Sequence, residues 1–103
     1  MTEYVAKRSP DRCPTHPGEL LREDVLPAVK MGKNRIAEAI GISRQHLHDI
    51  LSEKKPVSPD VAVRLGEAFG NGPEIWLNMQ SAYDAWHARR RIDVRKVKKL
   101  VAA

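Results

Sequence analysis

The sequence holds one cysteine, Cys13, in 103 residues. A single thiol excludes an intramolecular disulfide and leaves a cysteine-built zinc site without enough ligands. Long apolar runs are missing as well, since nothing approaches the roughly 20 residues that a bilayer-spanning helix requires. The opening MTEYVAKRSPD is polar, so no signal peptide is read there, and a cytoplasmic protein with no membrane partner is expected. Catalytic patterns are equally scarce. There is no Gly-rich phosphate loop, no pair of carboxylates stands out, and no nucleophile sits beside an obvious base. No catalytic residue and no cofactor is therefore expected, and the chain does not read as an enzyme. His46 and His48 are two residues apart; on a helix they diverge by about 200° and do not share a metal. Nor is there a general excess of one charge. Residues 1–70 carry eleven basic and ten acidic side chains, whereas Arg89 to Lys99 holds seven basic residues against one acid. The net charge of +5 favours a polyanionic partner, but most of the excess belongs to the tail.

What is present centres on Lys33 to Ser52, KNRIAEAIGISRQHLHDILS. Ile36, Ala37 and Ile40 have helical apolar spacing, Gly41-Ile42-Ser43 interrupts it, and Leu47, Ile50 and Leu51 resume it. Gly41 suits the positive φ that ends a first helix, and Ser43 can cap a second. Ala37 is small where the second helix would cross the first, and Ile42 would plug the angle between them. The stretch has apolar residues at positions four, eight, ten, fifteen and eighteen, a small one at five and Gly at nine. These seven slots are those of a helix-turn-helix. A helical hairpin with no DNA role is the alternative.

The chain divides into three parts: a flexible arm over 1–15, a folded domain over 16–91 and a basic tail over 92–103. In the arm Tyr4 and Val5 could dock, although a disordered terminus is expected. Thr15 or His16 opens a helix with Pro17 at its first position and Glu19 in its first turn. Its buried stripe is Leu20, Leu21, Val25 and Leu26, and Pro27 is expected to stop it. Val29 and Met31 would pack as a short link under the motif, with Gly32 at the next N-cap. Ser58-Pro59-Asp60 starts a further helix whose inward face is Val61, Ala62, Leu65, Ala68 and Phe69, closed by Gly70. A last helix from about Pro73 to Arg90 carries Trp76, Met79, Tyr83 and Trp86 on one stripe, with Ile75 and Ala82 beside it. That stripe is either core or, being so rich in aromatics, a homodimer interface, and the second is expected. Val94, Val97 and Val101 give the tail helical spacing; it is read as a solvated segment, with a phosphate-contacting arm or a partner-binding segment as alternatives. The expected fold is all-α, a five-helix domain with the helix-turn-helix at about 33–52.

With Leu47, Ile50 and Leu51 buried, Gln45 and Asp49 point outward, and Arg44 and His48 lie on one flank. The N-terminal part of a recognition helix enters the major groove most deeply, which makes Arg44 and Gln45 the leading base readers. Arg suits guanine O6 and N7, and Gln suits adenine N6 and N7. His48 would reach a base edge or a phosphate. Asp49 completes the set, although a carboxylate repels phosphates unless it accepts from cytosine N4 or pairs with a cation. Lys33, Asn34 and Ser43 at the helix starts, and Lys54 and Lys55 past the recognition helix, would hold phosphates; solvated loop charges are the alternative for the lysines.

Beyond the motif, HPGE at 16–19 and P-E-x-W-L-N-x-Q-x-x-Y-D-x-W at 73–86 resemble the HigA-type antitoxins of the lambda-repressor-like helix-turn-helix superfamily. The resemblance covers residues 16 to about 90. It implies a dimeric, all-helical protein that represses its own operon and neutralises a cognate HigB-type toxin that cleaves mRNA; a symmetric dimer would in turn bind a palindromic operator. The chain departs from the pattern at Gly32, where Ser or Thr is more usual. It departs also in charge, because a +5 protein does not attract a basic toxin by net charge. A stand-alone dimeric repressor with no toxin partner is the other reading.

Overall fold

A computed structural model of the chain describes residues 11–101. Tyr4 and Val5 lie outside them, with the greater part of the arm. Five helices and no strand occur among the described residues, which is the all-α architecture expected. Helix α1, residues 17–29, is built from Pro17–Leu20, a π-helical stretch Leu21–Val25 and Leu26–Val29. It is followed by α2 (Lys33–Ile40), α3 (Arg44–Leu51), α4 (Pro59–Phe69) and α5 (Glu74–Arg91). No helix among the described residues is long and apolar enough to cross a membrane.

His16 opens α1, its Nδ1 accepting the Gly18 N–H at 2.9 Å while Pro17 fills the first helical position. Pro27 does not stop the helix. A proline inside α-helical register clashes with the carbonyl four residues earlier. Here the preceding turn widens to i→i+5 bonding, with the Leu26 N–H donating to the Leu21 carbonyl, and the ring is accommodated within the continuing helix. The helix ends instead at Lys30, in the left-handed region at φ 60°. Met31 is also not the buried link expected; it is exposed, and Val29 is only half-buried.

The core takes Leu21 and Leu26 from α1, Ile36, Ala37 and Ile40 from α2, and Leu47, Ile50 and Leu51 from α3. Val57, Val61, Ala62, Leu65 and Trp76 complete it. Each large aliphatic side chain so buried stabilises the fold by roughly 1.5–3 kcal/mol relative to exposure. Ala68 faces solvent, and Gly66 holds the inward place near the end of α4. A Cβ on Gly66 would meet the Gly72 carbonyl carbon at 2.4 Å, so the turn into α5 lies directly on α4.

Trp76 is not at a surface. It is 1% exposed, and its indole N–H donates to Asn71 Oδ1 at 3.2 Å. At 100° per residue, Trp76, Gln80, Tyr83 and His87 fall on one line spanning about 60° of α5. That line faces the rest of the chain: Tyr83 packs edge-on against His16, and Gln80 Oε1 accepts the buried Val57 N–H at 2.8 Å. Ile75, Met79, Ala82 and Trp86 form a second line about 100° round the helix, on its more exposed flank. The single stripe expected is thus two stripes, one of them core.

The described end of the arm is laid against α5. Arg90 donates to the Asp11 carbonyl at 3.3 Å, and Cys13 Sγ lies 3.6 Å from His87 Nε2. The tail forms one 3₁₀ turn, Val94–Lys96, and no longer helix. Ile92, Val94, Val97, Leu100 and Val101 are exposed there among the basic residues.

Candidate nucleic-acid interface

The motif's turn follows from its sequence. Gly41 takes φ 79°, and the N–H groups of Gly41 and Ile42 both return to the Ala37 carbonyl, at 2.9 and 3.0 Å. Ser43 then caps α3, its Oγ accepting the His46 N–H at 3.0 Å. That cap fixes where α3 begins and therefore which side chains its outer face presents: Arg44 and Gln45 in the first turn, His48 one turn on.

Two arginines from outside the motif fasten its carbonyl ends. Arg64 of α4 donates to the Ile40 carbonyl at 3.1 Å, and Arg22 of α1 donates to the Leu51 carbonyl at 2.7 Å. Arg22 also pairs with Glu23 at 2.8 Å and Glu53 at 3.3 Å, which holds its guanidinium in place. Cations at helix C-termini satisfy orphan carbonyls and oppose the negative end of the helix dipole. The α1 contact is close. A Cβ on Gly18 would stand 1.9 Å from the Ile50 carbonyl oxygen, so only glycine lets α1 reach the end of α3.

On the outer face, Lys33, Arg44, Gln45 and His48 line one cleft of about 500 Å³. The first residue of α2 and the first turn of α3 therefore contribute to the same surface. The side chains of Arg44 and His48 have no hydrogen-bond or ion-pair partner among the described residues, leaving their donors available. Asn34, Lys54 and Lys55 are exposed but lie outside the cleft. Ser43 is exposed at the α3 start with its oxygen lone pair engaged in the cap, so its hydroxyl hydrogen remains a possible donor.

Asp49 does not stand outward as the helix geometry implied. Its side chain is 15% exposed, its Oδ1 accepts from Gln45 Nε2 at 3.0 Å, and its Oδ2 lies 3.7 Å from Lys55 Nζ. Helical projection gives a direction but not a contact, and here two longer side chains fold over the short carboxylate. The i, i+4 spacing of Gln45 and Asp49 carried the signal for this pair. No cluster of three or more His, Cys, Asp or Glu able to hold a metal occurs among the described residues.

A sequence model of the helix-turn-helix family matches residues 29–77. Virulence-associated protein I of Dichelobacter nodosus is 39% identical over 69 residues, 67% of this chain and 64% of that protein. The chain thus spans just under two thirds of that relative. Antitoxin HigA-1 of Vibrio cholerae is 36% identical over 84 residues, covering 82% of this chain and 79% of that protein. Among solved structures, antitoxin GraA in complex with its operator superposes with a TM-score of 0.81 at 34% identity, covering 92% of this chain and 99% of that one. With the motif, the five-helix order and these relatives together, the chain belongs to the HigA family of helix-turn-helix antitoxins, DNA-binding regulators and not enzymes.

Proposed function

We propose that this protein binds a palindromic operator as a dimer, represses its own operon and neutralises a cognate HigB-type toxin. The observation that carries the DNA half is the cleft of Lys33, Arg44, Gln45 and His48 at the start of α3, with Arg44 and His48 unpartnered. Arg44 is the guanine reader and Gln45 the adenine reader, while Lys33, Asn34, Ser43, Lys54 and Lys55 position the phosphates. The operator complex of GraA supports the same use of this fold. Dimerisation is assigned to the outer line of α5, Ile75, Met79, Ala82 and Trp86, because Trp76 and Tyr83 are occupied within the protomer. A two-fold dimer places operator half-sites about 34–36 Å apart or at a multiple of that spacing.

The antidote half rests on the relatives, HigA-1 among them. A chain of net charge +5 has to hold a basic toxin through local acidic or apolar surface. The same charge favours the second reading, a stand-alone repressor. Co-expression with the neighbouring gene separates the two: rescue from a lethal small protein establishes the antidote, and operator binding without rescue leaves the repressor. For DNA, Arg44→Ala should cost roughly 1–3 kcal/mol at the operator and relax preference at one base pair. Lys55→Ala should instead weaken all duplexes and lower the salt slope by about one counterion. Equal loss from Arg44→Ala on operator and random DNA would exclude base readout by that residue.

A further inference from the structure

We infer that Asp49 is a positioning residue that sets the base preference of Gln45 without touching DNA; the inference rests on Gln45 being a base reader. A side-chain amide carries an acceptor and a donor that exchange places when it turns over, so a free glutamine presents either pattern to a base edge. A carboxylate only accepts. Asp49 Oδ1, 3.0 Å from Gln45 Nε2, therefore compels the nitrogen to face inward and fixes the amide in one orientation. The Gln45 oxygen and the second Nε2 hydrogen remain free. An acceptor beside a donor is the complement of adenine N6–H and N7 in the major groove.

Asp49 is held firmly enough to do this. Its side chain is 15% exposed on an otherwise open face, and its other oxygen lies 3.7 Å from Lys55 Nζ. Its own carbonyl accepts the backbone N–H groups of Lys54 at 2.8 Å and Lys55 at 3.1 Å. One residue thus ties the base reader to the lysine-bearing loop that grips phosphate. Lys55 also offsets the carboxylate's charge, which would otherwise oppose the DNA backbone. Because the amide is ordered before DNA arrives, less freedom is lost on binding.

The test is a set of five proteins: wild type, Gln45→Ala, Asp49→Asn, the double variant of those two, and Asp49→Glu. The probe is a duplex selected by the wild-type protein from a random pool, with each base pair then substituted in turn. Asparagine has the shape of aspartate but both donates and accepts, so it accommodates either orientation of Gln45. Asp49→Asn should reduce the preference for adenine at the Gln45 position by roughly three- to ten-fold, a part of what a bidentate contact supplies. Binding to unrelated duplex should be equal or tighter, because a negative charge has gone. In the Gln45→Ala background the same change should leave base preference unaltered, and Asp49→Glu, which keeps the carboxylate, should retain more of the preference than Asp49→Asn. Circular dichroism and thermal unfolding of each variant identify any loss due to misfolding, in which case Asp49→Glu decides. An unchanged preference in Asp49→Asn, with Gln45→Ala losing it, overturns the positioning role alone. If Gln45→Ala alters preference at no base pair, the reading of Gln45 and the role of Asp49 fall together.

Discussion

Gln80 is a buried polar residue that ties α5 to the segment ahead of α4, and its replacement gives a quantitative test of that packing. It is 6% exposed, Val57 is 2% exposed, and the Val57 N–H donates to Gln80 Oε1 at 2.8 Å. The amide's nitrogen donates onward to Asp84 Oδ1 at 2.9 Å. Gln80→Leu keeps the bulk but orphans a buried backbone donor, which costs about 1–3 kcal/mol. Asp84, being more exposed, can turn to water and adds little. For a domain of this size about 2 kcal/mol lowers Tm by roughly 8–16 °C. Gln80→Glu is the sharper case. It retains an acceptor for Val57 but sets a second carboxylate against Asp84. One of the pair then has its pKa raised, so the variant is most destabilised near neutral pH and recovers as pH falls and a proton enters the pair. Urea and thermal unfolding of the three proteins at about pH 7 and pH 4.5 measure both effects. A Gln80→Leu protein within about 0.5 kcal/mol of wild type, or a Gln80→Glu deficit that does not narrow in acid, would refute the reasoning.

Three other outcomes follow from the geometry. Burial holds the pKa of His16 below its ordinary value of 6.5, against the pull of Glu53 and Asp84, and only the neutral ring can accept the Gly18 N–H. The unfolded chain protonates first, so the His16 contribution is complete above pH 6.5 and is lost as pH falls toward the folded value, by at most about 1.4 kcal/mol per pH unit. His16→Asn, which keeps a cap acceptor and removes the titration, should flatten that dependence in urea midpoints. Gly32→Ser should stabilise by a few tenths of a kcal/mol, since a Cβ there meets nothing within 4 Å and serine supplies the missing cap for α2; thermal unfolding reads it. Met79→Asp should give a helical monomer by light scattering and circular dichroism, whereas Trp76→Ala, losing about 3–5 kcal/mol of core packing, should unfold.

How far these features were legible depends on the distance over which each is determined. The helix-turn-helix was open to reading because Ile36, Gly41, Ser43 and Leu47 act on neighbours within a turn or two. The capping by Ser58 and the closure by Gly70 were legible for the same reason. Pro27 misled because the rule against internal proline assumes α-helical register, and one π-helical turn removes the clash. The aromatic stripe misled differently. Periodicity assigns residues to a face, but Trp76 and Met79 lie about 60° apart, and only the position of α4 decides that one is core and the other surface. The Arg22 and Arg64 contacts join residues 29 and 24 apart in sequence, and no local pattern announces them.

Those arginines bear on how the interface works. Helices α2 and α3 have eight residues each, too short to persist in water on their own. Their relative orientation, and so the aim of Arg44 and Gln45, is imposed by α1 and α4. The partial positive charge of the α3 N-terminus faces the cleft, where phosphates are favoured, while Arg22 covers the carbonyl end of the same helix. Arg64 does the same for α2. Each motif helix therefore keeps its N-terminal pole at the surface and has a terminal carbonyl satisfied from outside the motif. DNA affinity should accordingly depend on residues that lie far from any base, Arg22 foremost, and Gly18 is constrained for the same reason: the α1 helix that carries Arg22 reaches the end of α3 only where a side chain is absent.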